Sequence, residues 1–161
     1  MLVVLAACGG IDRAEYIARD PCAPLALTAA TATPAELDGI AGAIALWRDR
    51  GVSAFDAAPA EAPAIEIGFD DAAPAFHGAY DPDHARVLIN RDIADAATLG
   101  VVIAHELGHV FGLVHVAPAA RMSVMNPGNL ITPPTDDDQR AATSTRPPTA
   151  VIRSLRASRI R

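Results

Sequence analysis

Apolar residues recur at helical spacing in two stretches of the chain, and each stretch predicts an amphipathic helix. The first begins at Thr33, which forms an N-cap and a capping box with Glu36 and has Pro34 in its first turn. Apolar residues then follow at steps of three and four, at Leu37, Ile40, Ala41, Ile44 and Trp47. We expect this face to pack in the core and Gly51 to end the helix.

The second helix is predicted to begin with Thr98 as its N-cap and to continue through His109. Its apolar positions surround a polar face and comprise Leu99, Val102, Ile103, Leu107, Val110 and Phe111. Short apolar or alternating segments predict strands at residues 25–28, 52–55, 64–69, 76–80 and 86–90. Residues 116–135 are expected to be irregular, and Thr135 is expected to cap a last short helix that begins with Asp136, Asp137 and Asp138.

A chain of 161 residues is long enough for one domain with its own core. Apolar residues make up 51% of the chain, but alanine supplies much of that share and aromatic residues only 4%. Burial per residue is therefore modest, so a bound metal would help to hold the domain together. No apolar run approaches the roughly eighteen residues of a membrane-spanning helix.

Charge is distributed unevenly, and all thirteen basic residues are arginine. Residues 1–139 carry seven arginines against all nineteen acids, a net charge of −12, whereas residues 140–161 carry six arginines and no acid. A basic terminus can touch nucleic acid or anionic lipid, but a solvated tail that balances the acidic body explains it more simply. The acidic body makes nucleic acid a poor partner, and we expect a monomer that binds none.

The stretch from His105 to His115 places three imidazoles and one carboxylate at the spacing that suits a catalytic zinc. His105 and His109 are four residues apart and project from one face of the helix, with Glu106 at the edge of that face. Gly112 can adopt the left-handed backbone conformation and end the helix, so that His115 reaches the metal as a third ligand. The fourth position stays open for water, as in catalytic rather than structural zinc sites.

This stretch resembles the metzincin signature H-E-x-x-H-x-x-G-x-x-H at every fixed position. Eight residues downstream, Ser123 begins the segment Ser-Val-Met-Asn-Pro, which resembles the Met-turn of the same proteins. The resemblance implies that Met125 packs its thioether beneath the three imidazoles as an apolar floor and does not ligate the metal. The order of elements over residues 34–145 resembles the matrixin branch, although Val116 stands where matrixins usually carry Ser.

The resemblance implies a zinc endopeptidase that binds extended protein or peptide substrates antiparallel to the edge strand of its sheet. Zinc would activate a water and polarise the scissile carbonyl, while Glu106 would take the proton and deliver it to the leaving amine. Leu130 and Ile131, just after the Met-turn, are expected to form the pocket wall. Two alternatives stay open: a catalytically inactive zinc-binding surface lipoprotein of the same fold, and a zinc hydrolase of a non-peptide amide.

The resemblance therefore predicts an α+β fold of metzincin type. It implies a twisted, mostly parallel sheet of four to five strands with an antiparallel edge strand, two long helices, and a small irregular C-terminal subdomain that ends in a short helix. We place the catalytic domain at residues 34–145, with an upper part at 34–115 and a lower part at 116–145. Residues 9–33 are expected to form a linker, and residues 146–161 a basic tail.

Matrixins also carry structural zinc and calcium sites ahead of the zinc helix, where this chain has His77, Asp81, Asp83 and His84. Carboxylate and carbonyl oxygens suit calcium, so this loop and the acids at 136–138 are candidates for a Ca²⁺ site. The spacing matches neither family site well, and a solvated loop and helix capping explain the same residues. The cofactor that the main motif implies is one catalytic Zn²⁺.

The first eight residues are apolar and end in Leu5-Ala6-Ala7-Cys8, which resembles the lipobox of bacterial lipoproteins. The protein would then be exported, either secreted or anchored to a membrane surface through a lipid on Cys8. The apolar run is short and no positive region precedes it, so a short buried strand is the alternative. Cys22 is a free thiol, a disulfide partner of Cys8 or, by a loose likeness to the matrixin cysteine switch, a ligand for the open zinc position.

Overall fold

The computed structural model describes residues 18–144 and shows an α+β fold of four strands and three helices in that range. The elements are β1 (Ala26–Thr28), α1 (Pro34–Arg48), β2 (Ala64–Asp70), β3 (Gly78–Asp81), β4 (Arg86–Asn90), α2 (Ala96–Val110) and α3 (Asp136–Ser144). The predicted α+β class is confirmed, with two helices of fifteen residues each and a short last helix. Within the described part, no helix is long and apolar enough to span a membrane.

The four strands form one open mixed sheet in the order β1-β2-β4-β3. β1, β2 and β4 are parallel, and β3 pairs antiparallel with β4 at one edge, as predicted. Alternate residues on the two central strands are buried in the core: Ile65, Ile67, Phe69, Val87 and Ile89. The period of two thus places one face of the sheet in the core.

Helix α1 begins as its sequence predicts and packs against α2. The Thr33 N–H donates to the Glu36 carboxylate at 2.6 Å, and the Glu36 N–H donates to the Thr33 hydroxyl at 3.3 Å, which completes the capping box. The buried Trp47 indole donates from Nε1 to the Ala104 carbonyl at 2.9 Å. Because Ala104 immediately precedes the first histidine of the motif, this bond ties α1 directly to the helix that carries the site.

Two local predictions are wrong. Residues 52–55 form no strand, because this segment lies in a turn and makes only isolated bonds, such as that from the Leu25 N–H to the Ala54 carbonyl. Helix α2 begins after Asp95 rather than Thr98, since the Asp95 carboxylate accepts the Thr98 N–H at 2.7 Å. The helix is therefore capped by the carboxylate of Asp95, three residues before the hydroxyl that we predicted as the cap.

Helix α1 ends slightly earlier than predicted, whereas the strand predicted at residues 25–28 is present as β1. The helix stops at Arg48, and Gly51 follows in a turn with φ +80°, a conformation that suits glycine. Strand β1 lies within the predicted linker at 9–33 and pairs with β2, so that part of the stretch belongs to the sheet. Cys8 and the predicted basic tail at 146–161 lie outside the described residues.

Candidate metal centre

Helix α2 and the turn after it bring three imidazoles together. His105 and His109 lie one turn apart on α2, and Gly112, with φ +84°, ends the helix and turns the chain toward His115. Nε2 of His115 lies 3.1 Å from Nε2 of His105 and 3.3 Å from Nε2 of His109. One ligand atom from each ring therefore falls within 4.8 Å of the others, close enough to hold a single metal ion.

The other ring nitrogens of two histidines are bonded to backbone carbonyls. His105 Nδ1 lies 2.6 Å from the Val124 carbonyl oxygen, and His109 Nδ1 lies 2.8 Å from that of Leu113. A carbonyl oxygen only accepts, so Nδ1 carries the proton in both rings and the Nε2 lone pairs face each other. This arrangement orients metal-ligating histidines in proteins, and three imidazole nitrogens suit zinc.

The electrostatic setting of these rings favours their neutral form. Burial lowers the pKa of His105 to about 4, although the Val124 carbonyl opposes the shift. Burial also lowers the pKa of His109. Because a metal binds only the unprotonated nitrogen, rings that stay neutral near pH 7 are ready to bind one.

Glu106 lies beside the triad in a nearly water-free position, with only 5% of its surface exposed. Burial raises the pKa of its carboxyl group to about 7, against the opposing effect of a hydrogen bond from the Tyr80 backbone. Its Oε2 is buried and has no hydrogen-bond partner among the described residues. A buried polar atom without a partner is costly, and such atoms are common where a ligand or water completes a site.

Met125 is buried beside α2 in a turn closed by the bond from the Asn126 N–H to the Ser123 carbonyl. Its sulfur packs against Gly108, between the two helix histidines in sequence, so that a β-carbon at residue 108 would collide with it. The turn is also tied to Val116, whose N–H donates to the Met125 carbonyl at 3.0 Å. The turn thus lies directly against the site helix and the chain that follows His115.

An open cleft of about 430 Å³ leads to the triad and Glu106. Its lining also includes edge strand β3 with the residues before it, Pro127–Asn129, and the apolar side chain of Val102 from α2. The prediction that Leu130 and Ile131 form the pocket wall is wrong, because neither lines the cleft and Ile131 is 83% exposed. The chain turns at Gly128, with φ +68°, so residues 127–129 face the cleft instead.

The candidates for a second metal do not converge. The His84 ring pairs with Asp81 at 2.7 Å in an exposed turn, whereas His77 lines the cleft. The acids at the start of α3 diverge, since Asp136 pairs with Arg50 and Asp138 turns inward to Arg121. Within residues 18–144, the histidine triad is the one group of three or more potential ligands that converges. Cys22 is exposed, has no disulfide partner among these residues and does not belong to that group.

Three contacts at the site were not predicted from the sequence. Gly78 gives room to Glu106, Gly108 gives room to Met125, and Asp138, predicted only in the first turn of a helix, is fully buried against Ser123. The two glycines lie inside predicted elements, and an isolated glycine there can signal a close approach. Asp138 differs from its two acidic neighbours in standing three residues after Thr135, a capping-box spacing that signals a helix start but not burial against Ser123.

Comparison with the models of known protein families gives no match, and comparison with curated proteins gives none either. The description of the fold and the site therefore depends on the sequence and structure of this chain alone. They define a small α+β protein whose three histidines could bind a metal ion such as zinc.

Proposed function

We propose that this chain is a zinc-dependent endopeptidase of metzincin type. The observation that supports it best is the convergence of three imidazole Nε2 atoms beside a buried carboxylate, at the bottom of an open cleft. His105, His109 and His115 would hold the ion. When bound, zinc supplies a Lewis acid that polarises a carbonyl group and makes water more acidic.

Glu106 is the residue positioned to move the proton. Burial raises the pKa of its carboxyl group to about 7, the direction that suits a residue which both takes up and releases a proton. It would accept a proton from the attacking water and hand it to the amine that leaves. Its burial excludes competing water, and the bond from the Tyr80 backbone holds the carboxylate at the edge of the cleft.

Strand β3 offers a binding edge for an extended peptide. The Asn90 N–H donates to the His77 carbonyl at 2.9 Å, and pairing alternates along an antiparallel ladder. Gly78, opposite Ile89, therefore directs its N–H and carbonyl away from β4, toward the cleft. A substrate strand that added here would pass over the triad with its backbone held by hydrogen bonds.

The test is hydrolysis of quenched fluorescent peptides by the purified chain, with and without a chelator. We expect cleavage to stop on chelation and to return with stoichiometric zinc. His115→Ala should bind zinc much more weakly and lose cleavage. His84→Ala, which removes an exposed histidine outside the triad, is the matched control and should keep both. Zinc binding by the unmodified chain without cleavage of any peptide in a broad library would favour the inactive zinc protein.

Export and lipidation are a separate proposal, because they depend on Cys8 and the residues before it. Mass spectrometry of the mature N-terminus tests them directly. A diacylglyceryl group on Cys8 is the expected result, and a chain that keeps Met1 unmodified would contradict the anchor.

A further inference from the structure

Asp138 is the most heavily bonded side chain next to the site, although no part of it lies in the cleft. It is 0% exposed. Its Oδ1 accepts from the Ser123 hydroxyl at 2.5 Å and from Arg121 at 2.7 Å, and its Oδ2 accepts from the Val124 N–H, the Thr135 N–H and the Thr135 hydroxyl. A buried carboxylate with this many donors stays ionised, so a fixed negative charge lies behind the Met-turn.

A continuous run of hydrogen bonds joins this charge to His105. The His105 Nδ1–H donates to the Val124 carbonyl at 2.6 Å. The N–H of the same peptide group, that of Met125, donates to the Ser123 hydroxyl oxygen at 3.0 Å. The Ser123 hydroxyl then donates to Asp138. Every donor in the run points toward the carboxylate, which is the arrangement in which successive bonds polarise and strengthen one another.

We propose that Ser123 and Asp138 are positioning residues for His105, and that they act through the peptide group between Val124 and Met125. Metal-binding histidines are commonly held by a carboxylate directly on the far ring nitrogen. Here the Ser123 hydroxyl and one peptide group lie between the Asp138 carboxylate and the His105 ring. This run of hydrogen bonds would fix the ring and strengthen its Nε2 as a ligand. The inference rests on the metal centre of the proposed function and does not depend on peptide hydrolysis.

A second hydroxyl group, that of Thr135, donates to the same carboxylate and provides a matched control. Thr135 donates its hydroxyl to Asp138 Oδ2 at 2.8 Å, but Thr135 has no bond to the Val124–Met125 peptide group. Ser123→Ala and Thr135→Val each remove one hydroxyl from Asp138. Only the first interrupts the run to His105, so a purely structural role of the carboxylate would make the two variants behave alike.

The experiment uses the full chain and zinc alone. Zinc affinity is measured by competition with a chromophoric chelator, and the His105 Nδ1–H resonance is followed by NMR with ¹⁵N-labelled histidine. We expect Ser123→Ala to weaken zinc binding by roughly tenfold, the lower end of the effect of outer-shell partners. The resonance should move upfield in this variant, while Thr135→Val should change neither measurement. Asp138→Asn keeps the size of the side chain and should shift the resonance in the same direction, which covers a failure of Ser123→Ala to fold.

Equal zinc affinities in Ser123→Ala and Thr135→Val, or an unmoved His105 resonance in Ser123→Ala, would overturn the inference. Neither readout uses a peptide. A chain that binds zinc in this way but cleaves nothing would therefore refute only the proposed activity. A peptidase whose Ser123→Ala variant keeps full zinc affinity would refute only the hydrogen-bond run.

Discussion

The carboxylate of Glu106 lies directly against the backbone of Gly78. A β-carbon at residue 78 would come to 3.0 Å from both Cγ and Oε1 of Glu106, and to 3.1 Å from Ile89 Cδ1. Such distances are tighter than ordinary contact, so a side chain at residue 78 would displace its neighbours. The carboxylate of the proposed general base thus lies where a side chain at residue 78 of the edge strand would be, and it fits because residue 78 is glycine.

Gly78→Ala should therefore damage turnover while zinc remains bound. The added methyl group would shift the Glu106 carboxylate by a few tenths of an ångström, and we expect kcat to fall about tenfold because small misplacements of reacting groups are costly. Steady-state kinetics with zinc content measured in parallel is the test. Gly42→Ala is the control, since its β-carbon would meet nothing closer than 3.9 Å. An unchanged kcat in Gly78→Ala would show that Glu106 tolerates the displacement.

Gly108→Ala should destabilise the protein, although alanine is normally the better helix former. An exposed helix position would gain about 1 kcal/mol from this change. At residue 108 the new methyl group collides with the buried Met125 sulfur, and overpacking of this kind costs about 1–3 kcal/mol. Urea unfolding measures the difference, with Gly42→Ala again as the comparison. A Gly108→Ala variant as stable as Gly42→Ala would mean that Met125 moves away freely, and it would remove the argument that this contact supports the site.

Loss of Asp138 should change how stability depends on pH. Burial raises its pKa, but hydrogen bonds from Ser123, Thr135 and Arg121 outweigh burial and hold the folded-state pKa below the usual value of an aspartate. The unfolded state therefore takes up the proton first as pH falls, so the contribution to stability is complete above about pH 5 and is lost as pH falls through the folded-state pKa.

We expect Asp138→Asn to lower the free energy of unfolding at pH 7 by about 3 kcal/mol, because it leaves Arg121 without its buried partner. The difference from the unmodified chain should shrink as pH falls from 5 to 3. Urea unfolding across this range measures it. Two curves that stay parallel down to pH 3 would contradict the assignment of an ionised, buried Asp138.

The convergence of the three histidines could be predicted because local geometry decides it. A helix places residues 105 and 109 on one face, and the positive φ at residue 112, which favours glycine, turns the chain back toward residue 115. The capping box at Thr33 and the alternation on β2 and β4 are equally local. Each of these features depends on a few neighbouring residues, so the pattern alone predicts it.

The features that could not be predicted depend on contacts between distant segments. Residues 52–55 are apolar enough for a strand, yet Ala54 makes only isolated backbone bonds with Pro21 and Leu25 and no ladder forms. Asp138 belongs to a run of three acids and bonds to Thr135 at the start of the helix, but its burial also depends on the Met-turn, whose Ser123 and Val124 donate to it. The cleft wall falls at residues 127–129, because the turn at Gly128 decides which side chains face inward.

The most direct test of the account compares Glu106→Gln with the unmodified chain after both are loaded with zinc. The two proteins should bind one zinc ion each with similar affinity, since residue 106 is not a proposed ligand. Cleavage of a quenched peptide should fall by about 10²–10⁴-fold in the variant, which is the usual contribution of general acid–base catalysis. Equal cleavage by both proteins would contradict the role of Glu106 as the base. Loss of zinc from the variant would contradict the claim that the three histidines hold the ion without Glu106.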